Sequence, residues 1–502
     1  MTIVYVVKNG QTKHSNRGKQ MLTIEEINQV HPGYAEYRYR WDYYMRSYMG
    51  AEEYRDGAYL RKYIGEDQGP GDQYRQRLLD TALHNHAKVV VDTYRSFIFR
   101  NLPTRTMGNL VDNEFAMRFV KDADLDGTGM NQLMREVNDM VSIFGSCWVG
   151  IDRPAYAVET TAQEEALDIR AYALVIDPTA VTDWSYARQP NGAKKLDYIK
   201  IIEDKQSDHD TIVCWKPDTI TRYVVSKKAI HSTSNELTTH NTQSDQIVYE
   251  YGKILDYAEY PNPLGYIPFH SVSDTKSFHR GIGNSDIGDV CDIMRSIYNK
   301  LSELYSNIRL SSHPSIVAEP SAEINGGSGA IIYVDENTQV QPYLLQPTGA
   351  SIDGIIKSIE LDVEAIDSIT HLKAVKAKTG SPMSGVALAT TKQLLNAKLA
   401  DRASMLEIAE RKLWADWFNW QQVDESEEFH IHYEKSFDLR DKHSDLELYS
   451  KAILTVPHDS FVHHIHSQIA AMLIEDEKDL QLVQEQIAQD HMAGNIITPE
   501  TE

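Results

Sequence analysis

The sequence predicts an α+β fold of more than one domain, on three observations. At 502 residues the chain exceeds what a single hydrophobic core usually holds. Between about Ala171 and Phe269, short runs rich in β-branched and aromatic residues are punctuated by Gly, Pro, Asn and Asp, the pattern of an antiparallel sheet. Before and after that stretch the apolar residues recur every three to four positions, as they do on one face of a helix.

The elements follow in order. MTIVYVVKNG at the start has an apolar run too short for a signal peptide and reads as a short strand. The next stretch, YAEYRYRWDYYMRSYMGAEEYRDGAYLRKY, mixes tyrosines with both signs of charge. Helices packed by aromatic contact explain it better than bases stacked on aromatic rings. A helix is expected over RLLDTALHNHAKVVVDTYRSFIF, ended by Asn101-Leu102-Pro103. A second follows over Met130–Phe144, and GSCWVGIDRP then reads as a buried strand. AYALVID, LDYIKIIED, TIVCWK, TRYVVSKKAI and QIVYEYGKIL supply the sheet.

After the sheet the period changes. Ile287, Val290, Met294, Ile297, Leu301, Leu304 and Ile308 lie on one helical face, with Ser285 and Asp286 as capping candidates and Pro314 as a stop. Residues 315–348 read as a compact β insert around Asn325-Gly326-Gly327-Ser328-Gly329. A further helix carries Ile352, Ile355, Ile359, Val363, Ile366 and Ile369. A long one runs from about Val386 to Trp420 with Leu388, Leu395, Leu399, Leu406, Leu413 and Trp417 in line. From about Phe437 the chain is helical, acidic and histidine-bearing.

Composition excludes several classes. Seventy-three acidic against fifty basic residues, a formal charge of −23, argue against a protein that coats nucleic acid with its whole surface. Cys147, Cys214 and Cys291 are far apart, so neither a disulfide framework nor a cysteine zinc site is expected, and a reducing compartment suits the chain. The sequence lacks an apolar run long enough to span a bilayer, and a soluble protein made in the cytoplasm is expected.

The catalytic and metal motifs are weak. DADLDGTGMNQL has the first half of a calcium loop but Leu133 where a bidentate glutamate belongs, so an acidic turn capping the next helix is the expectation. His463 and His466 stand one helical turn apart without a third ligand. GIGNSD at Gly281 is half a dinucleotide fingerprint without a βαβ unit, and reads as a turn into a helix. There is no phosphate loop, nucleophile elbow or zinc-protease signature. No catalytic residue, metal or cofactor is assigned, and the chain is read as a non-enzyme.

One segment runs against the overall charge. His371–Ala400, HLKAVKAKTGSPMSGVALATTKQLLNAKLA, has five lysines and no carboxylate. Its centre is broken by Gly380-Ser381-Pro382 and Gly385, so Lys373, Lys376 and Lys378 belong to an exposed loop, with Lys392 and Lys398 off the apolar stripe of the following helix. A one-signed segment calls for a one-signed neighbour, though the loop by itself fits a surface loop with incidental lysines equally well.

This order of elements resembles the portal proteins of tailed double-stranded DNA bacteriophages. The stretches that carry the likeness are YLRKYIGED with YRQRLLDTALHNHAKVVVDTYRSFIF, DLDGTGMNQLMREVNDMVSIFGSCWVGIDRP, PNPLGYIPFH with GIGNSDIGDVCDIMRSIYNKLSELYSNI, and the helix–loop–helix containing SGVAL. They span about Tyr59 to Trp420 as patterns of residue types. The resemblance implies a homo-oligomeric ring, usually a dodecamer, at one vertex of the capsid in the virion. Residues 1–280 would form the wing, 281–310 and 351–372 two stem helices, and 311–350 the clip. Residues 373–386 would be a tunnel loop, 387–435 the long wing helix and its return, and 436–502 the crown and C-terminal tail.

On that resemblance Lys373, Lys376 and Lys378 would line the DNA channel, with Lys392 and Lys398 as further channel-proximal lysines. Glu319, Glu323, Asp335 and Glu336 would form the docking surface of the clip. The implied partners are double-stranded DNA without sequence preference, the terminase large subunit, the major capsid protein and scaffold, and head–tail adaptor proteins, with no membrane. The residues by themselves leave two other readings open: an oligomeric cytoplasmic enzyme with its site in the β-rich part, or another virion connector ring.

Overall fold

The computed structural model describes residues 21–55, 57–63, 73–154, 167–231, 247–312, 315–317, 343–345, 349–373, 385–437, 442–455 and 459–473, with a few isolated positions between them. The fold is mixed α+β and divides into two units, residues 1–437 and 438–502.

The first unit opens with α1 (Ile24–Asn28) and α2 (Pro32–Met49). Thr23 and Glu26 form a reciprocal capping box on α1, and Pro32 starts α2 where a missing N–H costs nothing. The tyrosine-rich region packs inward. Trp41 and Tyr54 are fully buried, and the Tyr54 ring lies 4.4 Å from Tyr59 and 5.4 Å from Tyr298.

The single helix expected over residues 77–99 is two, α3 (Gln73–Asp80) and α4 (His86–Ile98). Asn85 divides them because its side chain accepts the Lys88 N–H, capping a new helix instead of continuing the old one. Then come β1 (Thr104–Thr106), α5 (Glu114–Lys121) and α6 (Met130–Phe144). The acidic turn between α5 and α6 closes on itself. Asp124 accepts the Asp126 and Thr128 amides, and Asp122 takes the Gly127 amide and Arg170 at 2.6 Å. The expectation that these carboxylates cap α6 is not met: the N-cap position is Gly129, and α6 has no side-chain cap.

Two antiparallel sheets follow. β2 (Ser146–Asp152) is buried along its whole length and lies between β3 (Tyr172–Ile176) and β9 (Phe269–Ser273). The other sheet is a five-strand meander, β4 (Val181–Arg188), β5 (Lys194–Lys205), β6 (His209–Trp215), β7 (Thr219–His231) and β8 (Ile247–Pro261). Alternation sorts its side chains: Val213 and Trp215 join the main core, while Ile212 and Cys214 pack with Tyr223 and Val225 under Ile27 of α1. Lys200 fixes α1 in place. Its ammonium is buried and donates to the carbonyls of Ile27, at 2.9 Å, and Gln29 at the end of that helix.

Two helices and a short sheet come next. α7 (Gly288–Ser312) and α8 (Gly349–Ile369) pack on each other, and the antiparallel pair β10 (Ser315–Val317) and β11 (Tyr343–Leu345) brackets the segment between them. α9 (Gly385–Gln421) is the longest element, 37 residues and about 55 Å. Of its expected stripe, Leu395, Leu399, Leu406, Leu413 and Trp417 are all 3% exposed or less, and the Leu388 side chain lies outside the described residues. The chain returns through β12 (His430–His432), which pairs with β1. The second unit contains α10 (Lys442–Thr455) and α11 (Asp459–Leu473).

The GIGNSD segment is a turn, and its glycines serve packing. A Cβ on Gly283 would stand 2.0 Å from the Gly145 carbonyl oxygen, and Gly145 itself has φ +86° at the end of α6. Gly283→Ala is therefore expected to destabilise the first unit by roughly 1–3 kcal/mol, read as a lower urea midpoint.

Candidate nucleic-acid interface

The basic loop is set between two firmly held roots. At the first, the Tyr94 hydroxyl donates to the Thr370 carbonyl at 2.7 Å, and His371 takes φ +58°, turning the chain out of α8. Leu372 is 1% exposed, and Lys373 immediately after it is exposed. Burial, and then the charge of Lys398, lower the His371 pKa from the ordinary 6.5.

The second root is the first half of α9. Arg402, 3% exposed, reaches Asp286 at 2.6 Å and Asp274 at 3.4 Å, and Lys398 meets Asp286 at 2.9 Å. Burial alone would raise the Asp286 pKa. Arg402 first and Lys398 second hold it below the ordinary carboxylate value. Asp286, expected as a helix cap, is thus the counter-ion of α9. Ser285 accepts the Ile287 N–H at 3.1 Å and donates to the Ile143 carbonyl at 2.6 Å.

Three of the five predicted lysines are described. Lys373 is exposed, Lys392 is half-buried, and Lys398 is engaged with Asp286 and lies 5.0 Å from the centre of the Tyr94 ring. Lys376 and Lys378 lie outside the described residues, as do Glu319, Glu323, Asp335 and Glu336. The N-terminal strand expected over MTIVYVVKNG also lies outside them.

The paired helices α7 and α8 show a second feature. Lys300 of α7 bridges to Asp362 of α8 at 2.8 Å, and the apolar residues facing between the helices are buried or half-buried. Four apolar residues point elsewhere: Ile308, Ile356, Leu361 and Ile369 are 43%, 40%, 67% and 45% exposed. A helix pair with apolar side chains on outward faces is suited to contact with another protein surface.

Two buried polar clusters escaped the sequence reading. Glu410, fully buried, accepts from Arg105 Nε and Nη2 through its two carboxylate oxygens and accepts the Tyr433 hydroxyl at 2.6 Å. Asp416 accepts from Tyr266 at 2.9 Å and lies 2.8 Å from His270 Nε2. The signal was present, since Arg402 and Glu410 occupy positions of the apolar stripe of α9, where a charge needs a partner.

The three cysteines are free and buried, and burial raises all three thiols, Cys291 to about 12. Among the described residues no group of three or more His, Cys, Asp or Glu is placed to hold a metal ion, and no helix is long and apolar enough to cross a membrane. No protein-family model matches this chain, and no curated protein matches it.

Proposed function

We propose that this chain is a non-enzymatic, ring-forming conduit for double-stranded DNA, of the portal type, at one vertex of a phage capsid. The observation that carries the reading is the order of elements along the chain: α7, the β10–β11 pair, α8, the exposed Lys373 and then α9. Packed on each other, two helices of about 37 and 31 Å make a stalk, and in this reading the residues between β10 and β11 are the clip. The exposed Ile308, Ile356, Leu361 and Ile369 are the residues a neighbouring copy would cover.

In such a ring each Lys373 is repeated once per copy, and with Lys376 and Lys378 forms a belt of positive charge. A belt of this kind touches phosphates without reading bases, as a conduit for any sequence requires. The net charge of −23 on each copy keeps the remaining surface from holding DNA. Terminase large subunit and head–tail adaptors would dock at the segment between β10 and β11, and the major capsid protein and scaffold would surround the ring. Lys398 belongs to this reading as a support of the loop root, because Asp286 already neutralises it.

The test is negative-stain electron microscopy with light scattering on the purified chain. Rings with a central hole wide enough for a duplex support the reading, and a monomer at every concentration overturns it. Alanine at Lys373, Lys376 and Lys378 together is expected to leave the rings intact and lower packaged DNA several-fold. Loss of rings in that variant would mean that the lysines hold the assembly and not the DNA.

A further inference from the structure

A second basic concentration is formed by residues outside 371–400. A cavity of about 890 Å³ is walled by Lys194 and Lys195 at the start of β5, Lys276 and Arg280 on the hairpin of residues 275–284, and Lys412 on α9. Among the described residues none of these five cations has an ion-pair partner, whereas Arg77, Arg95, Arg170 and Arg222 elsewhere each hold a carboxylate. Asp197 is the one carboxylate among the residues lining the cavity.

The walls are ordered in advance. The Arg280 guanidinium lies 4.3 Å from the centre of the Tyr186 ring, and Trp184 donates to the Arg280 carbonyl at 2.8 Å. Ser277 N–H to Ile282 O at 3.0 Å and Asn284 N–H to Thr275 O at 2.9 Å close the hairpin. At its tip Phe278 is fully exposed. Asp416, held by Tyr266 and His270, acts on Lys412 from a longer distance. An aromatic ring held out to water beside cations without an ion-pair partner marks a contact surface.

The complementary feature lies in the same chain. Between α9 and β12, Asp424, Glu425, Glu427 and Glu428 are four exposed carboxylates in five residues, and none pairs with a described cation. Their turn is also built. Glu428 N–H donates to Ser426 Oγ at 3.3 Å, Phe429 N–H donates to the Ser426 carbonyl at 3.0 Å, and the Phe429 side chain is buried. A ring joins two different faces of each copy, so opposite charges left unpaired within one copy can be paired between copies.

We propose that the basic cavity receives the acidic turn 424–428 of a second copy of this chain, with Phe278 covered at the rim. The inference rests on the ring reading above and names the contact that closes it.

Charge reversal tests it. Lys194→Glu with Lys276→Glu changes two exposed side chains and is expected to keep the far-ultraviolet dichroism and the urea midpoint. It should raise the concentration for half-assembly on the order of 100-fold. Asp424→Lys with Glu425→Lys should do the same, and mixing the two variants should restore rings that neither forms alone. Wild-type rings indifferent to both reversals overturn this inference and leave the ring reading standing. Folded variants that fail to restore rings on mixing overturn it too, as does a cavity variant that assembles normally but loses binding of a short DNA duplex. A wild type that never forms rings removes the ring reading and this contact with it.

Discussion

Arg402→Met is expected to destabilise the first unit by about 3–5 kcal/mol, because it leaves Asp286 buried beside a single partly exposed lysine. The guanidinium is 3% exposed and joins three parts of the chain. It meets Asp286 just before α7, Asp274 just after β9, and the Ser142 hydroxyl of α6 at 3.3 Å. The pH dependence separates this cause from lost packing. In the native protein the Asp286 pKa lies below its unfolded value, so its contribution is present above the unfolded pKa and is lost as the pH falls through the folded one. In the variant, burial without Arg402 should raise that pKa above the unfolded value. The penalty then applies above the raised pKa and fades on acidification. The gap in urea midpoint between the two proteins should therefore narrow from pH 7 to pH 4. A gap independent of pH would mean that volume and not charge is at stake.

Glu410→Ala is expected to have an effect of the same size, about 3–5 kcal/mol, for the mirror-image reason. It strands the Arg105 guanidinium, 8% exposed, and removes the acceptor of the Tyr433 hydroxyl. Arg105 sits on β1 and Tyr433 directly follows β12, so one carboxylate on α9 ties down the sheet formed by the two ends of this region. Arg105 keeps Asn131 at 2.6 Å, which accepts one hydrogen bond but supplies no charge. Arg105→Met in the Glu410→Ala background should recover part of the loss. Two single losses that simply add would show that the pair does not couple. Limited proteolysis near His430 should accelerate in the single variant, since the β1–β12 pairing loses its support.

These two residues also show how far the sequence reaches. The stripe of α9 was legible because a period of 3.6 places Leu395, Leu399, Leu406, Leu413 and Trp417 on one face wherever the helix lies. The sheet strands β3, β5, β6, β7 and β8 fall on runs that alternation and β-branching pick out. β4 and β9 were missed, because VTDWSYAR and FHSVS carry polar residues at positions that their neighbours in the fold bury or pair. The break at Asn85 was missed as well, since local capping competes with helix continuation on margins of about 1 kcal/mol.

By itself the sequence determined the α+β class, the long helices and their buried faces, and the basic composition of residues 371–400 in an acidic chain. Each rests on periodicity or composition, which a linear reading contains. Only the tertiary structure decided what the charges do. Asp286 became the partner of Arg402 and Lys398 instead of a helix cap, Lys398 was drawn into the root of the loop, and Glu410 was enclosed with Arg105 and Tyr433. An ion pair depends on distance and dielectric, and both are set by which distant segments the core brings within a few ångströms.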